Sequence, residues 1–167
     1  SRGDRVFSLE ETENLYRTMV ETMNEAGLAV SPGGTILFCN DRACSLLQWS
    51  RDRLLGRSIG EFVADHDRKR FSRILEAVRA RAMNGQFTFT VKTGSSLPMH
   101  IRASYLDRAG APMICLIGTD LSRLEAQKES IELLNKKQEE LHESRIAAFN
   151  LMEDAIEAKN MAEEAGK

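Results

Sequence analysis

The stretch DLSRLEAQKESIELLNKKQEELHESRIAAFNLMEDAIEAKNMAEE, residues 120–164, has the pattern of one long helix that follows a folded domain. It contains no proline or glycine, and it is dense in Glu, Lys, Leu, Ala and Gln, which are strong helix formers. At a rise of about 1.5 Å per residue, this helix would be roughly 65 Å long. A helix of that length with one narrow apolar stripe cannot bury the stripe against a small domain. We therefore expect it to pair with a second helix.

The apolar stripe repeats every seven residues in two series, as the a and d positions of a coiled coil do. The predicted dimer seam consists of Leu124, Ile131, Leu134, Leu141, Ala148 and Met152. Arg145 also falls at an a position, where a polar residue specifies register and partner number at a cost in stability. We predict a parallel homodimeric coiled coil that leads to a further domain after Lys167.

The seam changes character after Arg145. Ala148 and Ala155 occupy d positions there, while Phe149 and Ile156 lie one residue past them. The apolar stripe therefore shifts, as it does where a heptad repeat is interrupted. Our hypothesis is that residues 124–141 hold the dimer and that the segment from Arg145 on is looser and can change its packing.

Length and composition limit the classes of protein that the remaining chain can belong to. Of 167 residues, roughly 120 lie outside the C-terminal helix, enough for one compact domain with its own core. The formal net charge of −2 argues against a general nucleic-acid binder, which would carry a clustered basic excess. No apolar run approaches the roughly 20 residues of a membrane span, so we expect no direct membrane insertion.

The three cysteines, Cys39, Cys44 and Cys115, are an odd number and form no C-x-x-C pair. Disulfides are rare in reducing compartments, and a structural zinc site needs closely spaced ligands. We therefore expect no metal site and a cytoplasmic location, within a parent protein that can itself be membrane-attached.

Residue patterns predict an α+β domain with a five-stranded antiparallel sheet and flanking short helices. A capping box at Ser8–Glu11 starts an N-terminal amphipathic helix, which we expect to end between residues 24 and 27. The predicted domains are residues 1–24, 25–120 and 121–167. The predicted elements are a hairpin over 28–39, short helices from Asn40 to Val63, a helix over 65–83 ended by Asn84-Gly85, and strands near 87–91, 97–105 and 113–117.

Three motifs in order resemble the PAS family. GGTILFCN, residues 33–40, is similar to the family's G-x-I-x-x-x-N strand, with Asn40 at the usual asparagine. RACSLLQWSRDRLLGRS, residues 42–58, is similar to A-x-x-x-L-x-G-Y-S-x-E-E-L-x-G-R-x, with Gln48 in place of the usual glycine. GTDLSRLE, residues 118–125, is similar to the D-I-T-E-R-K sequence that begins the exit helix. The resemblance covers residues 12–122.

Membership of this family implies a sensor or dimerisation module that is itself not an enzyme. Such modules are attached to a histidine kinase, a cyclase, or another PAS or GAF domain. We predict that Asp120 and Ser122 form the signal junction and that the C-terminal helix relays the signal to an output domain. The alternatives are a module that only dimerises, and a kinase fragment with His142 as phosphoacceptor.

The phosphoacceptor alternative depends on one short match. His142-Glu143-Ser144-Arg145 resembles the start of the H-E-x-R-T-P box of histidine kinases, but Ile146 and Ala147 stand where Thr and Pro should be. His142 follows a d position, so we interpret it as a solvated residue that flanks the seam.

The resemblance also limits the cofactors. A photoreceptor of the LOV type needs a reactive cysteine in an N-C-R-F-L-Q-like segment, and SIGEFVADH at residues 58–66 has none. Haem needs an axial ligand, but His66 resembles a structural histidine of the family and His100 falls on the polar side of its strand. We expect neither flavin nor haem and leave the cofactor unknown.

A small apolar ligand remains an open alternative to a filled core. Specific sites usually contain several convergent polar groups, and the side chains that we predict to point inward offer few. The candidate pocket residues are Phe62, Phe71, Ile74, Leu75, Val78, Phe87, Phe89, Met99, Ile101, Cys115 and Ile117.

Overall fold

In the computed structural model, residues 9–166 are described, with side chains from Asn14 onward. The described chain divides after Ser122 into two compact units. Its elements are α1 (Leu9–Thr22), β1 (Ala26–Val30), β2 (Ile36–Cys39), α2 (Asp41–Leu47), α3 (Arg51–Leu54), a 3-10 turn (Ile59–Phe62), α4 (Asp65–Ala77), β3 (Met83–Thr90), β4 (Ser96–Arg108), β5 (Ala111–Asp120) and α5 (Ser122–Ala165). The predicted start of the first helix at Ser8 lies outside the described residues, and α1 ends earlier than expected.

The five strands form one antiparallel sheet in the order β2-β1-β5-β4-β3. The predicted fold class is therefore confirmed. The chain leaves the sheet after β2, forms all the short helices and α4, and returns at β3. These helices contribute the apolar side chains that cover the inner face of the sheet, and the core lies between the two layers.

Strand β4 shows why alternation in a sequence is informative. Leu97, Met99, Ile101 and Ala103 are buried, and the residues between them are not. Polar residues at every second position leave only one arrangement that keeps the apolar side chains out of water.

Strand β5 differs from the prediction because its apolar run does not alternate. The structure buries Ile114 and Leu116, whereas Cys115 and Ile117, which we predicted to point inward, lie on the opposite face. The sheet register decides between the two faces. Leu116 pairs with Ala103 of β4 and with a buried leucine of β1, and cross-strand partners share a face. The prediction for Cys115 and Ile117 was therefore wrong.

Helix α4 is shorter than the predicted 65–83. It ends at Ala77, the N–H of the C-cap Val78 donates to the Ile74 carbonyl at 2.9 Å, and Ala82, within the predicted range, is exposed and not helical. Asn84-Gly85 does not cap the helix, because these residues already belong to β3 and pair with β4. A Cβ on Gly85 would lie 3.0 Å from the ring of Phe87, so this glycine makes room for a core side chain.

Helix α2 ends in a conformation that L-residues disfavour. Its C-cap, Gln48, has φ 60° and ψ 30°, in the left-handed region. A side chain in this region costs roughly 1–2 kcal/mol through contact between Cβ and the carbonyl oxygen. This is the position at which the PAS motif carries glycine.

We expect Gln48→Gly to raise the free energy of unfolding by about 0.5–1 kcal/mol, because relief of backbone strain exceeds the added entropy of the unfolded chain. Urea unfolding followed by circular dichroism measures this change. Gly56→Ala is the matched control, since Gly56 has φ 80° and its added Cβ would meet no atom within 4 Å. It should lower stability through backbone strain alone. A loss of stability in Gln48→Gly would contradict this account of the helix end.

Candidate functional site

Three phenylalanines occupy the centre of the core. The ring of Phe71 on α4 meets the ring of Phe87 edge-on at 5.1 Å between centroids and the ring of Phe89 at 5.8 Å. Each side chain is 1% exposed. Edge-to-face aromatic pairs of this kind add to the free energy of apolar burial. They fill the space between α4 and the sheet.

The structure brings together most of the candidate pocket residues but not all of them. Phe62, Phe71, Ile74, Val78, Phe87, Phe89, Met99 and Ile101 are buried in one cluster. Leu75 is partly buried and packs against it, whereas Cys115 and Ile117 lie on the other face of the sheet. That this cluster accommodates a ligand stays a prediction.

Leu75 also lines an open groove of about 310 Å³. Glu76, Arg79 and Tyr105 contribute its polar groups, and the guanidinium carbon of Arg79 lies 5.8 Å from the centroid of the Tyr105 ring. The volume is at the lower end of the range for small-molecule sites. Its charged lining distinguishes it from the apolar pocket that we predicted.

Asn40 is fully buried and uses its side chain to join three elements. Its Oδ1 accepts hydrogen bonds from the backbone N–H groups of Gly27 and Ala43, both at 2.9 Å. Its Nδ2 donates to the carbonyls of Val20 at 2.8 Å and Glu25 at 3.0 Å. Asn40 is thus the N-cap of α2 and also fastens the end of α1 and the start of β1. The asparagine of the PAS motif has a structural role here.

Asp67 is the other buried polar residue among the described side chains, and it belongs to none of the motifs described above. Its Oδ1 accepts from Arg70 Nη2 at 2.9 Å, and its Oδ2 accepts from the backbone N–H of Thr88 at 2.8 Å. The carboxylate therefore connects the first turn of α4 to β3. Its position could have marked it, because Asp67 is the third residue of a predicted helix. A carboxylate in the first turn of a helix lies near free backbone N–H groups, which stabilise its charge.

The surroundings of Asp67 lower its pKa. Burial alone would raise the pKa, but hydrogen bonds from Arg70 and the Thr88 N–H, the charge of Arg70 and the nearby His66 outweigh burial. The charged form is therefore the one that stabilises the folded state.

The histidines weighed as haem ligands lie away from the core. The His66 imidazole is 70% exposed, with Nε2 3.7 Å from Asp67 Oδ2. His100 pairs with Gln86 and Thr119 on the face of β4 opposite the buried residues. Among residues 9–166, no group of three or more His, Cys, Asp and Glu side chains is placed to hold a metal ion.

The predicted signal junction joins the middle strand of the sheet to α5. Asp120 is the last residue of β5 and pairs with Met99 of the core. Its Oδ1 accepts a hydrogen bond from the N–H of Ser122, the first residue of α5, at 2.9 Å. The N–H of Leu121 between them donates to the Pro98 carbonyl at 2.9 Å. Each junction residue is thus hydrogen-bonded or strand-paired.

Helix α5 is one continuous element of 44 residues with no buried side chain. The large apolar residues of the predicted seam, Leu124, Ile131, Leu134, Leu141 and Met152, are 47–65% exposed. Leu133, Ile146, Phe149, Leu151, Ile156 and Met161 add exposed apolar surface off the a and d positions. No helix in the described part of the chain has the length and apolar character needed to cross a membrane.

Comparisons with known proteins agree on the fold. The family model described as PAS fold matches residues 14–121. The PAS domain of an HTR-like protein from Haloarcula marismortui has a TM-score of 0.60 and 23% identity, and the match covers 67% of this chain and 93% of that one. A domain of the sensory box sensor histidine kinase/response regulator from Geobacter sulfurreducens gives 0.58 and 19%, covering 66% and 96%. The PAS domain of a two-component sensor histidine kinase gives 0.59 and 14%, covering 68% and 99%. A comparison with curated proteins gave no match.

We expect Asp67→Asn to lower the free energy of unfolding at pH 7 by about 1–3 kcal/mol, because it removes charge-assisted hydrogen bonds at a buried position. Since the folded-state pKa of Asp67 is lowered, this stabilisation is present above the unfolded pKa of about 3.9 and is lost as pH falls through the folded pKa. The difference between wild type and variant should therefore shrink in urea titrations from pH 7 toward pH 2.

Asp65→Asn is the control for this prediction. Its carboxylate is 89% exposed and pairs with Arg68 at 2.8 Å. Such a surface pair should change stability by about 0–1 kcal/mol. A constant difference between wild type and Asp67→Asn across the pH range would contradict the role assigned to the Asp67 charge.

Proposed function

The chain belongs to the PAS family, and from that premise we propose that it is a sensor and dimerisation module of a bacterial signal-transduction protein, with α5 relaying its state to an output domain such as a histidine kinase. The resemblance over residues 12–122 is confirmed by the family match at 14–121. One observation carries the proposal: the middle strand of the sheet continues into a 44-residue helix with only Leu121 between them.

Strand β5 is suited to pass a change in the domain to the start of α5. It pairs with β1 along one edge and with β4 along the other, so a displacement of either neighbour acts on it. The last pair joins Met99 of the core cluster to Asp120, which only Leu121 separates from the first residue of the helix. A ligand or partner shifts this junction only if it binds two states of the domain with different affinity.

Dimerisation through α5 follows from the need to cover its apolar surface. Ile131, Leu134 and Leu141 are each more than half exposed and lie at a and d positions. Pairing with a second copy in parallel would bury these side chains along one seam. Parallel pairing also places both domains at the same end, which lets both junctions act on the same coiled coil.

A second candidate function is that of a module that dimerises without sensing. A separate observation favours it. The ring of Phe71 meets the rings of Phe87 and Phe89 edge-on and all three are buried, which favours a filled core over an occupied pocket. In that case the partner protein, rather than a small molecule, would set the state of the domain. Both candidates need the α5 dimer.

We expect Ile131→Glu with Leu134→Glu to convert the dimer to a monomer, because each pair of facing glutamates would place two charges in the seam. Analytical ultracentrifugation measures the change in mass. Leu133→Glu with Ile146→Glu is the matched control, since it adds the same charge at exposed apolar residues away from the a and d positions. This control should stay dimeric. A double variant in the seam that remains dimeric would exclude the predicted register.

Single cysteines in a cysteine-free background test the looser segment beyond Arg145. We expect fast disulfide crosslinking between copies at positions 134 and 141, and slower crosslinking at 148 and 155, where the apolar stripe shifts. Arg145→Leu should remove this difference by tightening the downstream seam. Equal, rapid crosslinking at all four positions would refute the looser segment, and crosslinking at none would refute the parallel dimer.

A further inference from the structure

Two thiols face each other where β2 enters α2. Cys39 is the last residue of the strand, Cys44 lies in the helix, and their Sγ atoms are 3.7 Å apart. Both are free cysteines. Cys39 is fully buried, whereas Cys44 is partly exposed at the surface.

The sulfur contact follows from local geometry. With Asn40 as N-cap of α2, Cys39 occupies the position before the cap and Cys44 the fourth helical position, which is the spacing of a hydrophobic staple. Cys39 is fixed by its pairing with Leu28, and the N–H of Cys44 donates to the Asn40 carbonyl at 3.2 Å. Two aliphatic side chains would suffice for packing at these positions. Unlike aliphatic groups, two thiols in contact can also be oxidised to a disulfide.

Arg51 places a positive charge beside the pair. Its Nη2 lies 2.8 Å from Asp41 Oδ1 and 3.5 Å from Glu21 Oε2, so the guanidinium is held between α1 and α2. Its positive charge acts to lower the pKa of Cys39, against the effect of burial. A cation at this place favours the negative charge that sulfur carries as it attacks an oxidant.

The two thiols are not equivalent. Burial and the neighbouring Cys44 raise the pKa of Cys39 to about 11, with Arg51 acting in the opposite direction. Cys39 therefore stays protonated at neutral pH and is shielded from solvent. Cys44 is the more exposed residue of the two.

We propose that Cys39 and Cys44 form a redox modification site that takes hydroperoxides, in which Cys44 is oxidised first and Cys39 then closes an intramolecular disulfide. In the first step, the sulfur of Cys44 attacks one peroxide oxygen, the O–O bond breaks, and the thiol proton passes to the departing oxygen. This gives a sulfenic acid on Cys44 and water, or an alcohol from an organic peroxide. In the second step, the sulfur of Cys39 attacks the sulfur of Cys44, and the thiol proton leaves with the hydroxyl as water. Two thiols lose two electrons and the peroxide gains them.

Formation of the disulfide requires a small movement of the two sulfur atoms, and this movement affects helix α1. The sulfurs must approach by about 1.7 Å to reach the disulfide bond length. Asn40 lies inside the resulting ring, and its side chain holds the carbonyls of Val20 and Glu25. Shifting the start of α2 therefore disturbs the hydrogen bonds that fasten the end of α1. Oxidation at this site would loosen α1.

The test treats the reduced full chain with hydrogen peroxide, blocks the remaining thiols by alkylation, and maps tryptic peptides by mass spectrometry. Cleavage after Arg42 places the two cysteines on separate peptides, so a disulfide is detected as their covalent adduct. We expect loss of two of the three thiols, formation of this adduct and its reversal by dithiothreitol. Cys115, on the outer face of β5, should stay reduced. Oxidation of Cys115 without the adduct, or disulfides only between chains, would overturn the proposal.

Variants separate the two steps. Cys39→Ser should stop at a sulfenic acid on Cys44 that dimedone traps, Cys44→Ser should leave Cys39 reduced, and Cys115→Ser should form the disulfide as wild type does. Cys39→Ala serves the same purpose as Cys39→Ser without a buried hydroxyl. Failure of dimedone to label Cys44 in both Cys39 variants would overturn the assigned order.

Hydrogen exchange measures the effect on α1. Peroxide should increase amide exchange in residues 14–25 of wild type but not of Cys44→Ser. A disulfide that forms without a change in this exchange would refute the connection through Asn40 and leave the modification site standing.

Discussion

The domain depends on one buried amide. The side chain of Asn40 forms hydrogen bonds with four backbone groups, from Val20, Glu25, Gly27 and Ala43. Without it, two N–H groups and two carbonyls would lose these partners in or near the core, and such groups cost about 1–3 kcal/mol each. Because β1 lies between β2 and β5, the position of Asn40 also helps to set the register of the middle of the sheet.

Asp67 has the corresponding role on the other side of the domain. It connects the first turn of α4 to β3, as Asn40 connects the first turn of α2 to β1. The core fixes which faces of helix and sheet meet, but apolar contacts are not directional. The hydrogen bonds of Asn40 and Asp67 are directional, and they form in only one alignment of helix and strand. The two side chains therefore fix that alignment.

Some strands and helices could be predicted from the sequence more completely than others, for physical reasons. Strand β4 was predictable because polar residues alternate with apolar ones, whereas the uniform run of β5 fits either face and needed its neighbours to decide. The end of α4 was missed because Met83–Gly85 can extend a helix or pair with β4, and pairing is a tertiary effect. The candidate core was mostly predictable from periodicity. The partners of Asp67 lie across the fold and were not.

The C-terminal helix shows a different limit. Its heptad positions can be read from the sequence, but every one of its large apolar side chains is exposed in the single chain, so its stability depends on what covers them. Apart from Leu133, the large apolar residues up to Leu141 lie at a and d positions, whereas beyond Arg145 the apolar surface spreads to Phe149 and Ile156. In the dimer that we propose, a seam that is strong up to Leu141 and weaker beyond Arg145 keeps the two copies paired while its distal part changes packing, and a two-state element of this kind can transmit a change along a helix.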